Sequence, residues 1–92
     1  MDKVIVNIDR INETAWKECR KNPELAIKKS KEALTKAKKN KYLKGETMAI
    51  HTMGNSYAWL SEFDKASDFL QKSLGLYISQ EDQDGSRIIT AV

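Results

Sequence analysis

The sequence has little of several residue types from which functional sites are commonly built. It holds one cysteine, Cys19, one histidine, His51, and one proline, Pro23, and its four glycines are far apart. A lone cysteine excludes an internal disulfide, which is typical of a reducing compartment. A lone histidine excludes a two-histidine metal site within one chain. Isolated glycines exclude a glycine-rich phosphate-binding loop.

Long apolar runs are missing as well. No stretch of 18 apolar residues exists, so the sequence contains no candidate membrane-spanning helix. The first ten residues are interrupted by charge too often for a signal peptide. We therefore expect a cytoplasmic protein that makes no contact with a membrane.

The charge is divided unevenly along the chain. Residues 1–46 hold thirteen Lys and Arg against seven Asp and Glu, whereas residues 47–92 hold three against six. The lysines between 28 and 44 could neutralise phosphates, which is one possible function. Because no arginine or aromatic residue lies among residues 24–41, bases would find no stacking platform there. We therefore favour a solvated helix face and consider nucleic-acid binding the least favoured alternative.

Two apolar stripes at helical spacing occupy the middle of the chain. The first contains Ile50, Met53, Gly54, Tyr57 and Leu60, and the second Phe63, Ala66, Leu70, Ser73, Leu74, Tyr77 and Ile78. The short polar connection between them predicts an antiparallel helical hairpin with both stripes facing inward. Gly54 and Ala66, one on each helix, are predicted to face each other and allow close packing.

The N-terminal half predicts a second such hairpin. Residues 2–20 read as a helix, with an apolar stripe of Val4, Ile8, Ile11, Ala15 and Cys19. Asn22 can cap the next helix, Pro23 suits its first position and Glu24 favours the positive end of its dipole. That helix is predicted over residues 23–39, with an inward face of Ala26, Ile27, Ser30, Ala33, Leu34 and Ala37.

These residues resemble the tetratricopeptide repeat, a helix–turn–helix unit with a W-x2-L-G-x2-Y…A-x3-F pattern. Ile50, Met53-Gly54, Tyr57, Ala66 and Leu70 occupy successive positions of that pattern. Ser61 stands where the turn of the family commonly has glycine. The resemblance implies an all-α, right-handed stack of antiparallel helical hairpins in one domain over residues 1–92.

The two repeats are offset by forty residues, since Ala26 corresponds to Ala66 and Gly45 to Gly85. Repeat 1 is expected at about 4–40, repeat 2 at about 43–80 and the start of a third at about 84–92. Asp84 is a predicted cap for a partial fifth helix, and the acidic residues 81–84 are expected to form a solvated connection. Because repeat arrays need about three units, we expect a fragment of a longer protein.

The long period and the first repeat resemble a subgroup of these proteins. Its features here are Thr14-Ala15-Trp16 and Asn22-Pro23-Glu24. In bacteria such arrays often form the N-terminal sensory part of signalling proteins. The resemblance thus implies a protein- or peptide-binding module that regulates an attached signalling domain.

The resemblance also implies where a partner would bind, because the first helix of each repeat lines a concave groove. The expected groove residues are Asn12, Trp16, Arg20, Met48, His51, Asn55 and Trp59, with Cys19 and Ala58 beside them. Amide groups can hold a peptide backbone and indoles supply apolar contact. The tryptophans could equally belong to the packing between repeats.

Two alternatives remain for these residues and for the chain. Cys19 and His51 could form a nucleophile–base pair, but we favour a structural cysteine, and we expect no enzyme, no cofactor and no metal. The alternative function is self-association through the open C-terminal face, most simply as a two-fold homodimer. The residues expected on that face are Phe69, Leu76, Ile88 and Ile89.

Overall fold

The computed structural model describes residues 2–83, which form four α-helices. Helix α1 spans Lys3–Glu18, α2 Pro23–Lys39, α3 Leu43–Trp59 and α4 Phe63–Gln83. The described residues contain no strand, so the predicted all-α fold is confirmed. Each helix packs against the next, and α1 also contacts α3.

The helices begin at the spacing that the sequence predicts. Helices α1 and α3 start forty residues apart, and so do α2 and α4. Asn22 caps α2 as predicted, because its side-chain oxygen accepts a hydrogen bond of 3.2 Å from the Leu25 N–H. Pro23, which has no N–H to satisfy, occupies the first helical position. Polar residues with specific backbone roles therefore set where the second helix begins.

The turns after α2 and α3 close in the same way. After α3, the Ser61 N–H donates to the Ala58 carbonyl at 3.0 Å and the Glu62 N–H donates to the Tyr57 carbonyl at 2.9 Å. This is the Schellman arrangement, in which the residue at the Ser61 position adopts a left-handed backbone. Ser61 has φ 63° and Lys41, in the equivalent turn after α2, has φ 52°. The structure thus uses serine and lysine where glycine is favoured.

The core consists mostly of small side chains. One cluster joins α1, α2 and α3 through Ile8, Ala33, Ala37 and Ala49, with Ile11, Leu34 and Tyr42 packed against it. The predicted inward face of α2 is buried apart from Leu34, which is half-buried. In α1 the predicted stripe holds at Ile8, Ala15 and Cys19, but Val4 is 41% exposed. Because alanines fill the interior, the helix backbones lie close together.

Gly54 marks such a close approach between α3 and α4, and its nearest neighbour is Leu70. A Cβ added to Gly54 would lie 2.7 Å from two side-chain carbons of Leu70 and 3.2 Å from the Leu70 backbone nitrogen. Ala66 is buried as expected, at 4% exposure. The atoms nearest to Gly54 thus belong to Leu70, one turn beyond Ala66 along α4, and the predicted contact between Gly54 and Ala66 stays a prediction.

The predicted inward stripe of α4 is only partly inward. Ala66 and Ser73 are buried, whereas Phe63, Leu74 and Ile78 are exposed by more than half and Tyr77 by 41%. The apolar surface of α4 is wider than the area that α3 covers. Part of the apolar stripe therefore lies on the molecular surface.

Helix α4 also extends further than the predicted repeat. It continues to Gln83, so residues 81–83 belong to its last turn and do not form the expected connection. The predicted cap Asp84, the partial fifth helix, Ile88 and Ile89 lie outside the described residues.

Replacing Ser61 with glycine should stabilise the fold. A side chain at left-handed φ costs on the order of 1 kcal/mol, and glycine removes that cost at the expense of unfolded-state entropy. We expect a gain of about 0.5–1 kcal/mol in the free energy of unfolding, measured by urea titration. As a control, Ser67→Gly in the exposed part of α4 should lose about that amount, because a helix interior disfavours glycine. Equal changes at both positions would contradict the strained-turn interpretation.

Alanine at two helical glycines should have opposite effects. In Gly54→Ala the new methyl would overlap Leu70, so we expect a loss of about 1–3 kcal/mol. In Gly75→Ala nothing lies within 4 Å of the new methyl, so the helix should gain up to about 1 kcal/mol. Thermal melts of the two variants test the pair, and a gain in Gly54→Ala would show that α3 and α4 are not closely packed there.

Candidate functional site

Helices α1 and α3 bring an indole and an imidazole together on the surface. The Trp16 and His51 ring centroids are 5.3 Å apart, with the ring planes inclined by 50°. Trp16 is 40% exposed and His51 is half-buried. At this distance the two rings are in the range of favourable aromatic contact. The pair therefore joins the first and second hairpins while leaving one side of the indole open to solvent.

Tyr77 from α4 extends this contact. Its ring centroid lies 6.2 Å from that of His51, and the two planes are nearly perpendicular, at 88°. Tyr77 is 41% exposed. His51 thus lies between aromatic rings from two other helices, and three helices contribute to one row of rings.

A second pair lies at the C-terminal ends of α1 and α3. The Arg20 guanidinium carbon is 5.9 Å from the centre of the Trp59 ring, which is within the range of a cation–π contact. Arg20 is exposed, and Trp59 is 56% exposed. An indole this exposed contributes little to the core and offers a flat apolar surface beside a positive charge.

We call the set Trp16, Arg20, His51, Trp59 and Tyr77 the aromatic face. Four of its five members are among the predicted groove residues, and the structure brings them together in two contacting groups. The predicted neighbours on α3, Met48, Asn55 and Ala58, are half-buried. Tyr77 was not among the predicted site residues, because its spacing along the helix placed it on the predicted inward stripe of α4.

Asn12 does not belong to this face, and its predicted role is corrected. It is 3% exposed, and its side-chain N–H donates a hydrogen bond of 3.1 Å to the Gly45 carbonyl. A Cβ on Gly45 would lie 2.9 Å from Ile8 and 3.1 Å from the Ala37 Cβ, so α3 is close to both neighbours here. Asn12 thus ties α1 to α3 at the point of closest approach and cannot line an open groove.

Cys19 lies near the aromatic face but is not placed for nucleophilic chemistry. It is 7% exposed, and burial raises the pKa of its thiol above the usual value. A nucleophilic cysteine needs the opposite shift, toward thiolate at neutral pH. Among residues 2–80, no group of three His, Cys, Asp or Glu is placed to hold a metal ion.

A hydrogen bond outside the face supports the junction of α1 with α3. The Tyr42 hydroxyl donates to the Asp9 carboxylate at 2.8 Å. Burial, together with this bond and the negative charge of Asp9, raises the pKa of Tyr42. The hydroxyl consequently stays protonated, as the hydrogen-bond donor, at neutral pH.

The predicted self-association residues have other surroundings in the structure. Phe69 stacks on Tyr57, with centroids 5.5 Å apart and planes 10° from parallel, and Lys65 lies 5.4 Å over the other ring of that pair, Tyr57. Phe69 and Leu76 are both half-buried. The Phe69 side chain is therefore partly covered by contacts within the monomer. The more exposed apolar residues of α4 lie elsewhere on the helix.

The lysines of α2 lie at the surface. Lys28, Lys31, Lys38 and Lys39 are exposed, and the ion pair found within α2 joins Lys36 to Glu32 at 3.6 Å. Three of the helix's lysines are in its last turn, where positive charge is favoured by the helix dipole. Their positions fit a solvated helix face.

Comparisons with family models, with curated proteins and with solved structures find no match to this chain. The resemblance to tetratricopeptide repeats therefore rests on the residues themselves. In the described part of the chain, no helix is long and apolar enough to cross a membrane. The function proposed below consequently rests on the chemistry of the aromatic face.

The burial of Asn12 predicts that this residue stabilises the fold, which can be tested by measuring the free energy of unfolding. Asn12→Ala removes a buried hydrogen bond and leaves the close approach unsupported, so it should cost about 1–3 kcal/mol in unfolding free energy. The half-buried Asn55 is the matched control, and Asn55→Ala should stay within about 0.5 kcal/mol of the parent. Chemical denaturation of both variants tests this, and equal stabilities would mean that the Asn12 bond is unimportant.

Proposed function

We propose that the protein binds a peptide or a helical segment of another protein on its aromatic face. The observation that carries the proposal is the row of partly exposed rings that three separate helices supply. Trp16 and Trp59 together offer two indoles at 40% and 56% exposure, which is unusual for residues that proteins normally bury. Aromatic residues and arginine are enriched at protein interfaces, and this surface concentrates both.

The chemistry of the face indicates how a ligand would be held. Indole rings give a large apolar contact and lose little conformational entropy on binding, since each has two rotatable side-chain bonds. Arg20 provides donors at the edge of the Trp59 ring, so a carboxylate or backbone carbonyl of the ligand can pair there. Asn55, half-buried on α3, can donate to and accept from a peptide backbone.

The tetratricopeptide resemblance supports the same function and adds a context. In that family the corresponding surface is a groove for peptides and partner proteins. By that resemblance, occupancy of the aromatic face would control a signalling domain attached to these repeats. The chain acts here as a binding module without catalytic chemistry of its own.

Phage display of random 12-residue peptides against the folded chain tests the proposal directly. We expect selected peptides to quench or shift the fluorescence of Trp16 and Trp59, which are the only tryptophans. Trp16→Ala should weaken binding of a selected peptide by at least about tenfold, because aromatic anchors dominate such interfaces. Circular dichroism confirms that the variant is folded.

The matched control changes charge away from the face. The triple variant Lys28→Glu, Lys31→Glu and Lys38→Glu alters exposed residues of α2 and should retain the fold and nearly all of the peptide affinity, apart from a screened long-range effect. If the triple variant loses binding and Trp16→Ala does not, a charge-driven function replaces the proposed one. Failure to select any peptide would also contradict the proposal.

A further inference from the structure

Helix α4 carries a stripe of apolar side chains that are exposed in the described part of the chain. Phe63 is 66% exposed, Leu74 59%, Ile78 52% and Tyr77 41%. Leu74, Tyr77 and Ile78 are three and four residues apart, so they lie on one face, and Phe63 lies three turns earlier along it. We call these four residues the α4 stripe. The exposed polar residues Ser67 and Gln71 lie between Phe63 and Leu74 on this face, and Leu74, Tyr77 and Ile78 form its main apolar group. Grouped exposed apolar side chains mark a site of association.

The first hairpin shows what covers the equivalent surface. Forty residues before Leu74 and Tyr77 are Leu34 and Ala37 of α2, which pack with Ala49 of α3. Ala37 is fully buried there, at 0% exposure, against 41% for Tyr77. On α2 this face is thus covered by α3, whereas on α4 the equivalent face is exposed.

Gly75, next to Leu74 in this part of α4, is a second indication. A glycine inside a helix costs about 1 kcal/mol relative to alanine. Gly45 and Gly54 are explained by side chains of other helices that an added Cβ would meet within 3 Å, but no described residue lies within 4 Å of a Cβ on Gly75. Packing among the described residues therefore gives no reason for this glycine, whereas close approach of a helix backbone from another copy would.

We propose that the α4 stripe is the interface of a two-fold homodimer in which the α4 helices of two copies cross at Gly75. Near a two-fold axis each residue meets its own copy, so a charged residue there would be repelled. The ridge through this point consists of Gln71, Leu74, Gly75 and Ile78, and none of these residues is charged. When this ridge packs against its own copy, no two like charges of the ridge therefore come together.

The opposite end of the molecule favours a closed dimer over a filament. The outward face of α1 consists of exposed polar residues, namely Lys3, Asn7, Arg10, Glu13, Thr14 and Lys17. Head-to-tail stacking would bury these charges against the apolar α4 stripe, which is costly. A two-fold arrangement pairs apolar surface with apolar surface and leaves α1 in solvent.

The available apolar area matches what a small specific interface needs. Aromatic side chains bury about 150–250 Å2 each when fully covered, and with Leu74 and Ile78 taken at the lower end of that range the four half-exposed residues offer at most roughly 400 Å2 per copy. Two copies then bring together roughly 800 Å2 of apolar surface, while stable interfaces bury about 1,200–2,000 Å2 of which somewhat more than half is apolar. The stripe is therefore sufficient for an interface at the lower end of that range.

The mass of the full 92-residue chain as a function of concentration tests the proposal. Sedimentation equilibrium should show a rise from the 10.5 kDa of one chain to twice that value between about 1 and about 500 μM. Leu74→Asp together with Ile78→Asp should keep the chain monomeric throughout this range. The control, Asn7→Asp with Thr14→Asp, adds the same charge on the outward face of α1 and should dimerise like the parent.

A substitution at Gly75 separates the interface from the fold. Gly75→Gln fits the open space around the monomer and improves the helix, so its thermal stability at low concentration should rise. The same side chain blocks the crossing, so the dissociation constant should increase at least tenfold. A parent chain that is monomeric at 500 μM overturns the proposal, and so does a dimer that withstands both the Gly75 and the Leu74 and Ile78 substitutions. Tyr77 belongs to both the α4 stripe and the aromatic face, so it is kept in all variants and peptide binding is measured separately on each of them.

Discussion

The close approach of α3 to its neighbours is the constraint on which the rest of the structure depends. Gly45 allows α3 to lie against α1 and α2, and Gly54 allows it to lie against α4. An added methyl would meet Ile8 of α1 at 2.9 Å at the first position and Leu70 of α4 at 2.7 Å at the second. The buried hydrogen bond from Asn12 to the Gly45 carbonyl fixes the first of these contacts. An interior of alanines and glycines can be dense only if the backbones are this close.

The aromatic face follows from the central position of α3. Since α3 contacts α1 on one side and α4 on the other, His51 can touch Trp16 and Tyr77 at once. Large rings that find no room in an interior filled by small side chains remain partly at the surface. The same packing that makes the core compact therefore places the binding chemistry outside it.

The two hairpins share a period but differ at their outer surfaces. Helix α1 presents polar side chains to solvent, whereas α4 presents Phe63, Leu74 and Ile78. One end of the stack is thus compatible with water and the other with a further apolar surface. This asymmetry makes α4 the side on which association is favoured, while the aromatic face spans all the helices except α2.

The four described helices, the start of α2 and α4, the forty-residue period and most of the buried positions could be predicted from the sequence alone, whereas the predicted fifth helix lies outside the described residues. These features depend on local chemistry, such as the Asn22 cap and the spacing of apolar residues, which acts within a few residues. Four of the five residues of the aromatic face were also predicted, from their positions on α1 and α3. Only the tertiary structure decided that Asn12 is buried, that Gly54 meets Leu70, and that Tyr77 completes the face. The apolar surface of α4 is wider than the area that α3 covers. The spacing of apolar residues along one helix does not show where the neighbouring helix packs against it.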